Sequence, residues 1–543
     1  MKFSFAASLA TLAATAIAGQ DPHRVCCEAL GADKQLRGKV LSLGSVEYDA
    51  QLNTYYSANA AQHAWCMVMP ESTNLSWERG YSDYVFDNTR EIDNTIQLKP
   101  PIPEISTAQL RTKDVQATVK ILRKNQCPFG IKAGGHSAFK GSSGIAEGVT
   151  VDFGHLNSTS FNPNTGIVSI QPGAIWGSVY ELLNPYDVAV VGARTSVVGV
   201  GGFTTGGGTG DQWLTTFSYT FHSNSHGFSC DMVENWEIVL ADGSVVNANS
   251  KDNADLWKAQ KGASGNLGFV TRIDQQTVKG TQLWGGFTSY ELSERDNVFA
   301  AYLDFVENTE ENSPDQAIIA LYYDFTGFSI RSILTNNKGI ANAPAFDGFL
   351  ALPNISSTVT SGPISEIIPQ FTGPTPLGLY ANWFTGMATN TLEALTIIDD
   401  LHHKYAPMMQ AAAPNSNFST LVELQPVTNS MVDNSVKRGG NILGLERVVK
   451  DGPVLMWLVS LTIDTEENQK VILPIAREFV DAINKTEKKA GHWIDWIYLN
   501  YAWKDEKPYS HYGKDNIKLL HTVSKKYDHD GVFQKLRQTG FKP

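Results

Sequence analysis

Apolar residues recur at helical spacing over residues 106–125, where Val115, Val119 and Leu122 share a face and lysines and arginines fill other positions. Short apolar runs predict strands at 127–131, 149–153 and 167–170, a helix at 176–183 and a further apolar run at 188–191. Residues 236–240 and 244–247 flank Ala241-Asp242-Gly243, which reads as a hairpin turn. Upstream, residues 20–70 read as a helix followed by an extended segment that ends in Trp65-Cys66-Met67-Val68-Met69-Pro70. Downstream, the apolar segments 317–323, 345–350, 455–463 and 471–483 mix strand and helix, which suggests an α+β unit built on an antiparallel sheet. On a strand at 418–426, Glu423 and Gln425 share the side opposite Val422 and Leu424. That side is either a polar, cleft-facing wall or an exposed sheet face.

Two glycine-rich stretches break the pattern. The first is Ile131-Lys132-Ala133-Gly134-Gly135-His136-Ser137-Ala138-Phe139-Lys140-Gly141-Ser142-Ser143-Gly144, entered from a short apolar run. Glycine lets the backbone take positive φ and lets another group come close, and consecutive N–H groups in such a loop can nest an anion. The stretch reads as a cradle for a diphosphate with His136 as a nucleophile aimed at a cofactor; the alternative is a glycine turn with a surface histidine. The second stretch covers residues 192–210. It lacks the regular G-x-G-x-x-G and the acidic residue of a Rossmann fingerprint.

At 543 residues the chain exceeds one usual core, so two domains are expected. A net charge of −12 disfavours a nucleic-acid partner, and no stretch is long and apolar enough to span a bilayer. Lys2, the apolar run 3–17 and Ala16-Ile17-Ala18 have the order of a secretory signal peptide, assigned to residues 1–19. In the oxidising compartment this implies, some of the five cysteines should pair. Cys26 and Cys27 are expected to join Cys66 and Cys127, in a connectivity the sequence leaves open, with an odd cysteine remaining. No CxxC or HExxH occurs, so no metal site is expected. Asn74, Asn157, Asn354, Asn417 and Asn484 each begin an Asn-x-Ser/Thr sequon, as an extracellular glycoprotein would have.

The two loops together resemble those of the flavin oxidoreductases of the vanillyl-alcohol oxidase and p-cresol methylhydroxylase superfamily, in the secreted fungal form of the berberine-bridge-enzyme-like branch. The family's basic-x-Gly-Gly-His-Ser loop matches Lys132, Gly134, Gly135, His136 and Ser137, and its histidine is bonded to the 8α carbon of FAD. The family's V-G-x-G-G-x-x-x-G-G-G matches Val198, Gly199, Val200, Gly201, Gly202, Gly206, Gly207 and Gly208, with Gly210 following. Many relatives carry a cysteine three residues before that valine, which bonds the flavin a second time. Here the position is Thr195, so the resemblance implies a single covalent link, through His136. It further implies FAD contacts at Asp231, at Val270 near the adenine end and at Asn500. The fold implied is α+β: a PCMH-type FAD-binding domain at 20–280, an antiparallel-sheet substrate domain at 281–490, and a segment at 491–543 that returns to the first domain. Residues 71–104 and 211–226 depart from the family as insertions, either loops or errors of gene prediction. His222 and His226 in the second read as solvated loop residues.

Tyr498-Leu499-Asn500-Tyr501 resembles the family's Y-x-N-Y. Tyr501 then stands as the base that takes the substrate hydroxyl proton, with Tyr498 and Gln425 beside it; the alternative is a pair of buried aromatics. A tyrosine is a poor base unless its phenolate is stabilised. The resemblance implies hydride transfer from a small hydroxylated substrate, a carbohydrate or an aromatic or alkaloid-like metabolite, to FAD. O2 is the expected electron acceptor, reached past the small residue Val200, and a secreted monomer is expected. A dehydrogenase that reacts poorly with O2 and an inactive secreted flavin-binding protein are the alternatives.

Overall fold

A computed structural model describes residues 22–71, 112–208, 220–310, 313–372 and 378–543. The expected signal peptide, Asn74, Gly210 and residues 72–104 and 211–219 of the expected insertions lie outside these.

The N-terminal part is organised by a four-stranded sheet in the spatial order Val40–Ser42, Cys66–Val68, Val149–Asp152, Phe129–Lys132. The last three strands are parallel. Cys66–Val68 and Val149–Asp152 are buried at every position; the first is an unbroken apolar run, whereas in the second Thr150 and Asp152 alternate with Val149 and Val151 and are buried all the same. Helix Lys113–Lys124 buries Val115, Val119 and Leu122 against Val68, Phe129 and Val151. Disulfides Cys26–Cys127 and Cys27–Cys66 tie the first helix, Pro22–Ala32, to this sheet, and Cys230 is free and buried. Within the segment expected to be extended, Val46–Leu52 is instead a helix. Ser45 caps it by accepting from the Tyr48 N–H, and Tyr48 is buried. Seven residues are too few for apolar periodicity to reveal such a helix.

A five-stranded antiparallel sheet follows, ordered Thr159–Asn162, Ile167–Ile170, Phe269–Gln276, Val233–Val239, Val245–Asn249. Its last two strands form the expected hairpin, with Gly243 at φ 82° and the Ser244 N–H donating to Asp242 Oδ1.

Residues 282–494 build a nine-stranded sheet whose pairings are all antiparallel. At its centre Ser419–Val427 lies between Asp315–Asp324 and Val454–Ile463. Helices Leu392–Ala412 and Glu466–Ala490 pack on each other and on this sheet. Thr391 and Thr465 cap them, accepting from the N–H groups of Ala394 and Asn468. Leu395, Ile398, His402, Tyr405 and Met409 supply the buried stripe of the first. Ile472, Ala476, Phe479, Ile483 and Glu487 supply that of the second.

The chain then returns. Helix Lys514–Tyr527 packs on Ala254–Gln260, and Arg537 bridges in parallel to Phe129. Phe533 joins Phe129 and Phe269 in the aromatic core of the N-terminal sheet.

His222 is not solvated, and His226 is only partly so. His222 is 3% exposed, and burial lowers its pKa to about 3; His226 is half-buried, and burial lowers its pKa to about 4. Residues 220–226 are bolted to the large sheet. The Asn224 amide donates to Asp315 O and its oxygen accepts from Thr428, while Gln316 and Asn337 donate to Thr220 O and Phe221 O. A polar stretch that satisfies its backbone against a neighbouring sheet looks in sequence like an exposed loop. No helix among the described residues is long and apolar enough to cross a membrane, and no His, Cys, Asp or Glu cluster there could hold a metal ion.

Candidate active site

The strand Phe129–Lys132 delivers the chain into the first glycine stretch, and the loop after Ile170 meets the second. The two backbones touch. A Cβ on Gly134 would stand 2.5 Å from the Gly199 Cα, and one on Gly199 would stand 2.6 Å from the Gly134 Cα. Glycine on both sides is the condition for this crossing. A Cβ on Gly201 would come 2.7 Å from the Pro172 carbonyl oxygen, whereas one on Gly202 would meet nothing within 4 Å. Within the stretch, Val200–Thr205 closes into a short helix.

The crossing walls a cavity that holds about 1080 Å³ of empty space, its open mouth included. Of the residues singled out in the sequence, Gly134, Gly135, His136, Ser137, Gly199, Gly201, Gly202, Val270 and Asn500 line it. The His136 imidazole stacks on the Tyr56 ring with centroids 4.1 Å apart and planes 16° apart, and Trp383 lies 6.4 Å away. Tyr56 is held in turn by its N–H, which donates to Gly135 O at 3.1 Å.

The other expected cofactor residues stand behind the lining. The Lys132 ammonium is buried on Asp152 at 2.9 Å, and Gln51 also donates to that carboxylate. A Cβ on Gly135, whose φ is +68°, would meet the Lys132 side chain at 2.8 Å, so Lys132 props the loop from beneath. Asp231 accepts from its own turn at Phe228 N–H and from Asn441, which fixes the chain ahead of Val233–Val239. Val198 and Val200 are buried; Val198 O accepts from Trp176 and the Val200 N–H donates to Ala174 O. Gly206, Gly207 and Gly208 admit Asn500, Leu443 and Ser229, which a Cβ at each would meet at 2.0, 3.0 and 2.2 Å. None of the three is among the residues that line the cavity.

The tyrosines sit just behind Asn500. Asn500 Nδ2 donates to the Tyr498 hydroxyl at 2.7 Å and to Phe203 O at 3.2 Å, which binds Y-x-N-Y to the second glycine stretch. Tyr498 and Tyr501 meet edge to face with centroids 5.0 Å apart. Gln425 Nε2 donates to Glu423 Oε2 at 2.6 Å and to the Tyr501 hydroxyl at 3.4 Å. All three side chains are buried, so the polar side of this strand is not an exposed sheet face. Burial, then Glu423, push the Tyr501 hydroxyl well above the ordinary tyrosine range, while Gln425 and Arg194 pull it down. Arg194, itself buried, sits in the second glycine stretch beside Thr195. Its charge placed it within reach of a sequence argument; Tyr56 and Trp383, brought in from distant segments, gave no such signal.

The donor set fits a dinucleotide. Close-crossing glycines leave backbone bare along the cavity, Gly202 opens onto free space, Ile131, Phe153 and Phe269 supply apolar wall, and His136 presents a ring held by stacking.

Comparison with known proteins agrees. Residues 110–249 match the FAD-binding domain family. The FAD-dependent monooxygenase drtC of Aspergillus calidoustus is 31% identical over 536 residues, covering 95% of this chain and 90% of that protein. The FAD-dependent monooxygenase sdcF of Emericella nidulans is 30% identical, covering 95% and 98%. Among solved structures, 6-hydroxy-D-nicotine oxidase from Arthrobacter nicotinovorans superposes with a TM-score of 0.70 at 16% identity, covering 94% and 98% of the two chains. A glucooligosaccharide oxidase of Acremonium strictum gives 0.68 at 16% identity, covering 96% and 100%. The chain belongs to the FAD-dependent oxidoreductases that these fungal relatives represent, and its fold is a PCMH-type FAD-binding fold joined to an antiparallel sheet.

Proposed function

We propose that this protein is a secreted oxidase that removes hydride from a small hydroxylated substrate, a carbohydrate or an aromatic secondary metabolite, with FAD attached through His136 alone. Residues 20–280 and 491–543 hold the cofactor in this reading, and residues 281–490 face the substrate. Bound FAD supplies the hydride acceptor, and O2 takes the two electrons and two protons to leave as H2O2.

The observation that carries the reading is Asn500, which lines the cavity with His136 and donates to Tyr498 directly in front of Tyr501. Tyr501 is assigned to accept the substrate hydroxyl proton. Gln425 steadies its oxygen with an N–H, and Arg194 favours the phenolate. Burial opposes that ionisation, so the phenolate that accepts the substrate proton forms by loss of the Tyr501 proton to solvent, and turnover rises with pH along an acidic limb. His136, stacked on Tyr56, presents its ring edge for attachment. The glucooligosaccharide oxidase's reported FAD is both 6-S-cysteinyl and 8α-N1-histidyl. In this chain Thr195 offers no sulfur for the first of those bonds.

The names of the fungal relatives favour a second reading, in which one oxygen atom enters the product and a reductant supplies two electrons. A substrate screen on the purified protein separates the two. The oxidase reading expects flavin bleaching on substrate addition, recovery in air and one H2O2 per product without added NADH or NADPH. Label from labelled O2 in the product, with consumption of a nicotinamide reductant, supports the monooxygenase. Reduced flavin that persists in air sinks the oxidase reading.

A further inference from the structure

The cavity that carries His136 also carries a buried cation from the opposite end of the chain. Arg537 is the only lysine or arginine among the residues that line it, and it is 3% exposed. The C-terminal tail fixes it there. Gln538 N–H donates to Phe129 O at 3.0 Å, and Gly540 N–H donates to Gly141 O at 2.8 Å. Residue 537 is thereby strapped alongside the strand that enters the His136 loop and beside the end of that loop. Nη2 is committed, donating to Asn266 Oδ1 at 2.7 Å and to Phe541 O at 3.0 Å. Nε has no hydrogen-bond partner. Nη1 lies between two glycines, where a Cβ on Gly540 or Gly265 would come to 3.0 or 3.3 Å.

No carboxylate among the described residues pairs with Arg537; its polar neighbours include Asn266, Phe541 O and the Tyr509 phenol, with the Lys542 ammonium a like charge close by. Burial without a counter-charge lowers its pKa to about 10. A guanidinium kept charged in such a place is unfavourable until an anion meets it. Its planar fork matches phosphate oxygens. The same cavity is walled by the Gly134–Gly199 crossing, whose bare backbone suits the same anion. A substrate carboxylate is a poorer fit, because Tyr501 and Gln425 do not line this cavity.

We propose that Arg537 is a cofactor-binding residue whose Nε and Nη1 edge pairs with the diphosphate of the dinucleotide, so that the C-terminal tail forms part of the FAD site. The proposal rests on the reading of this cavity as the FAD site.

The test uses the full-length chain carrying His136→Ala, in which the flavin is exchangeable. Bound FAD is displaced with ADP or with adenosine, and free-flavin fluorescence gives the midpoint for each. ADP keeps the diphosphate and adenosine lacks it, so the ratio of the adenosine midpoint to the ADP midpoint reports the anion contact. With Arg537 intact the ratio should exceed ten. Adding Arg537→Ala should lower it by about tenfold or more, the worth of a charge-assisted contact, and Arg537→Lys should recover part of it. A chain that keeps the parent's melting temperature but takes up no FAD with alanine, and takes it up with lysine, also supports the proposal. An unchanged ratio overturns it, as does unfolding of both the alanine and lysine chains, which would make Arg537 a structural strap. If neither nucleotide displaces flavin from the parent, the assignment of the cavity fails, and the role of Arg537 with it.

Discussion

The imidazole of His136 lies flat against the ring of Tyr56, centroids 4.1 Å apart and planes 16° apart, while the Tyr56 N–H donates to the carbonyl of Gly135. One residue thus fixes both the loop and the ring that the loop presents. Tyr56→Ala should slow flavin attachment about threefold to tenfold, the worth of an aromatic pair, and leave a larger share of acid-extractable flavin. Tyr56→Phe, which keeps the stack, should attach normally. Equal attachment in the alanine and native proteins would remove Tyr56 from this role.

Tyr501 is the assigned base, and Tyr501→Phe should keep its flavin but lose about 10²–10⁴-fold in turnover. A loss below about tenfold at normal flavin content would make it a packing residue. Glu423 supplies a sharper check on the same group. After burial it is the largest influence that raises the Tyr501 hydroxyl. Glu423→Gln removes that charge, so the acidic limb of the kcat/KM profile should move to lower pH. A limb that stays in place, or moves up, separates Glu423 from the titrating group.

Glu487 tests the fold rather than the site. It falls four residues after Ile483 on the buried stripe of the helix Glu466–Ala490, and neither carboxylate oxygen has a partner. Burial, with Glu393 nearby, pushes it from the ordinary 4.5 up to about 8. The folded chain therefore holds a proton that the unfolded chain releases. The contribution is full below about pH 4.5 and declines up to about pH 8, by at most about 1.4 kcal/mol per pH unit. Glu487→Gln abolishes that decline. The native melting temperature should drop more between pH 5 and pH 8 than that of the variant, and equal drops would show that Glu487 ionises freely in the fold.

Much of this was legible in the sequence because it was local. Val115, Val119 and Leu122 declared a helix face, and the glycines on either side of His136 and Val200 declared loops that must approach something closely. Glu423 and Gln425 shared a strand face by parity, and the structure joins them by a hydrogen bond. What the sequence hid was long-range. Tyr56 meets His136 from 80 residues away in number. Arg537 reaches the cavity only because the tail pairs with Phe129. His222 looked solvated because the groups that pin its neighbours Thr220 and Phe221 come from Gln316 and Asn337, far downstream in the chain. Lys132, the basic residue of the loop motif, turned out to face Asp152 rather than the cavity, since the strand alternates at that point.

The central claim is one covalent flavin, held at His136. Peptide mass spectrometry on acid-precipitated native protein tests it directly. The account predicts yellow colour in the pellet and a single flavin adduct on the peptide that contains His136, with none in the His136→Ala protein, which should still fold and bind FAD. Free flavin released from a fully loaded native sample would contradict it, as would an adduct on Cys230 or two bonds to one flavin.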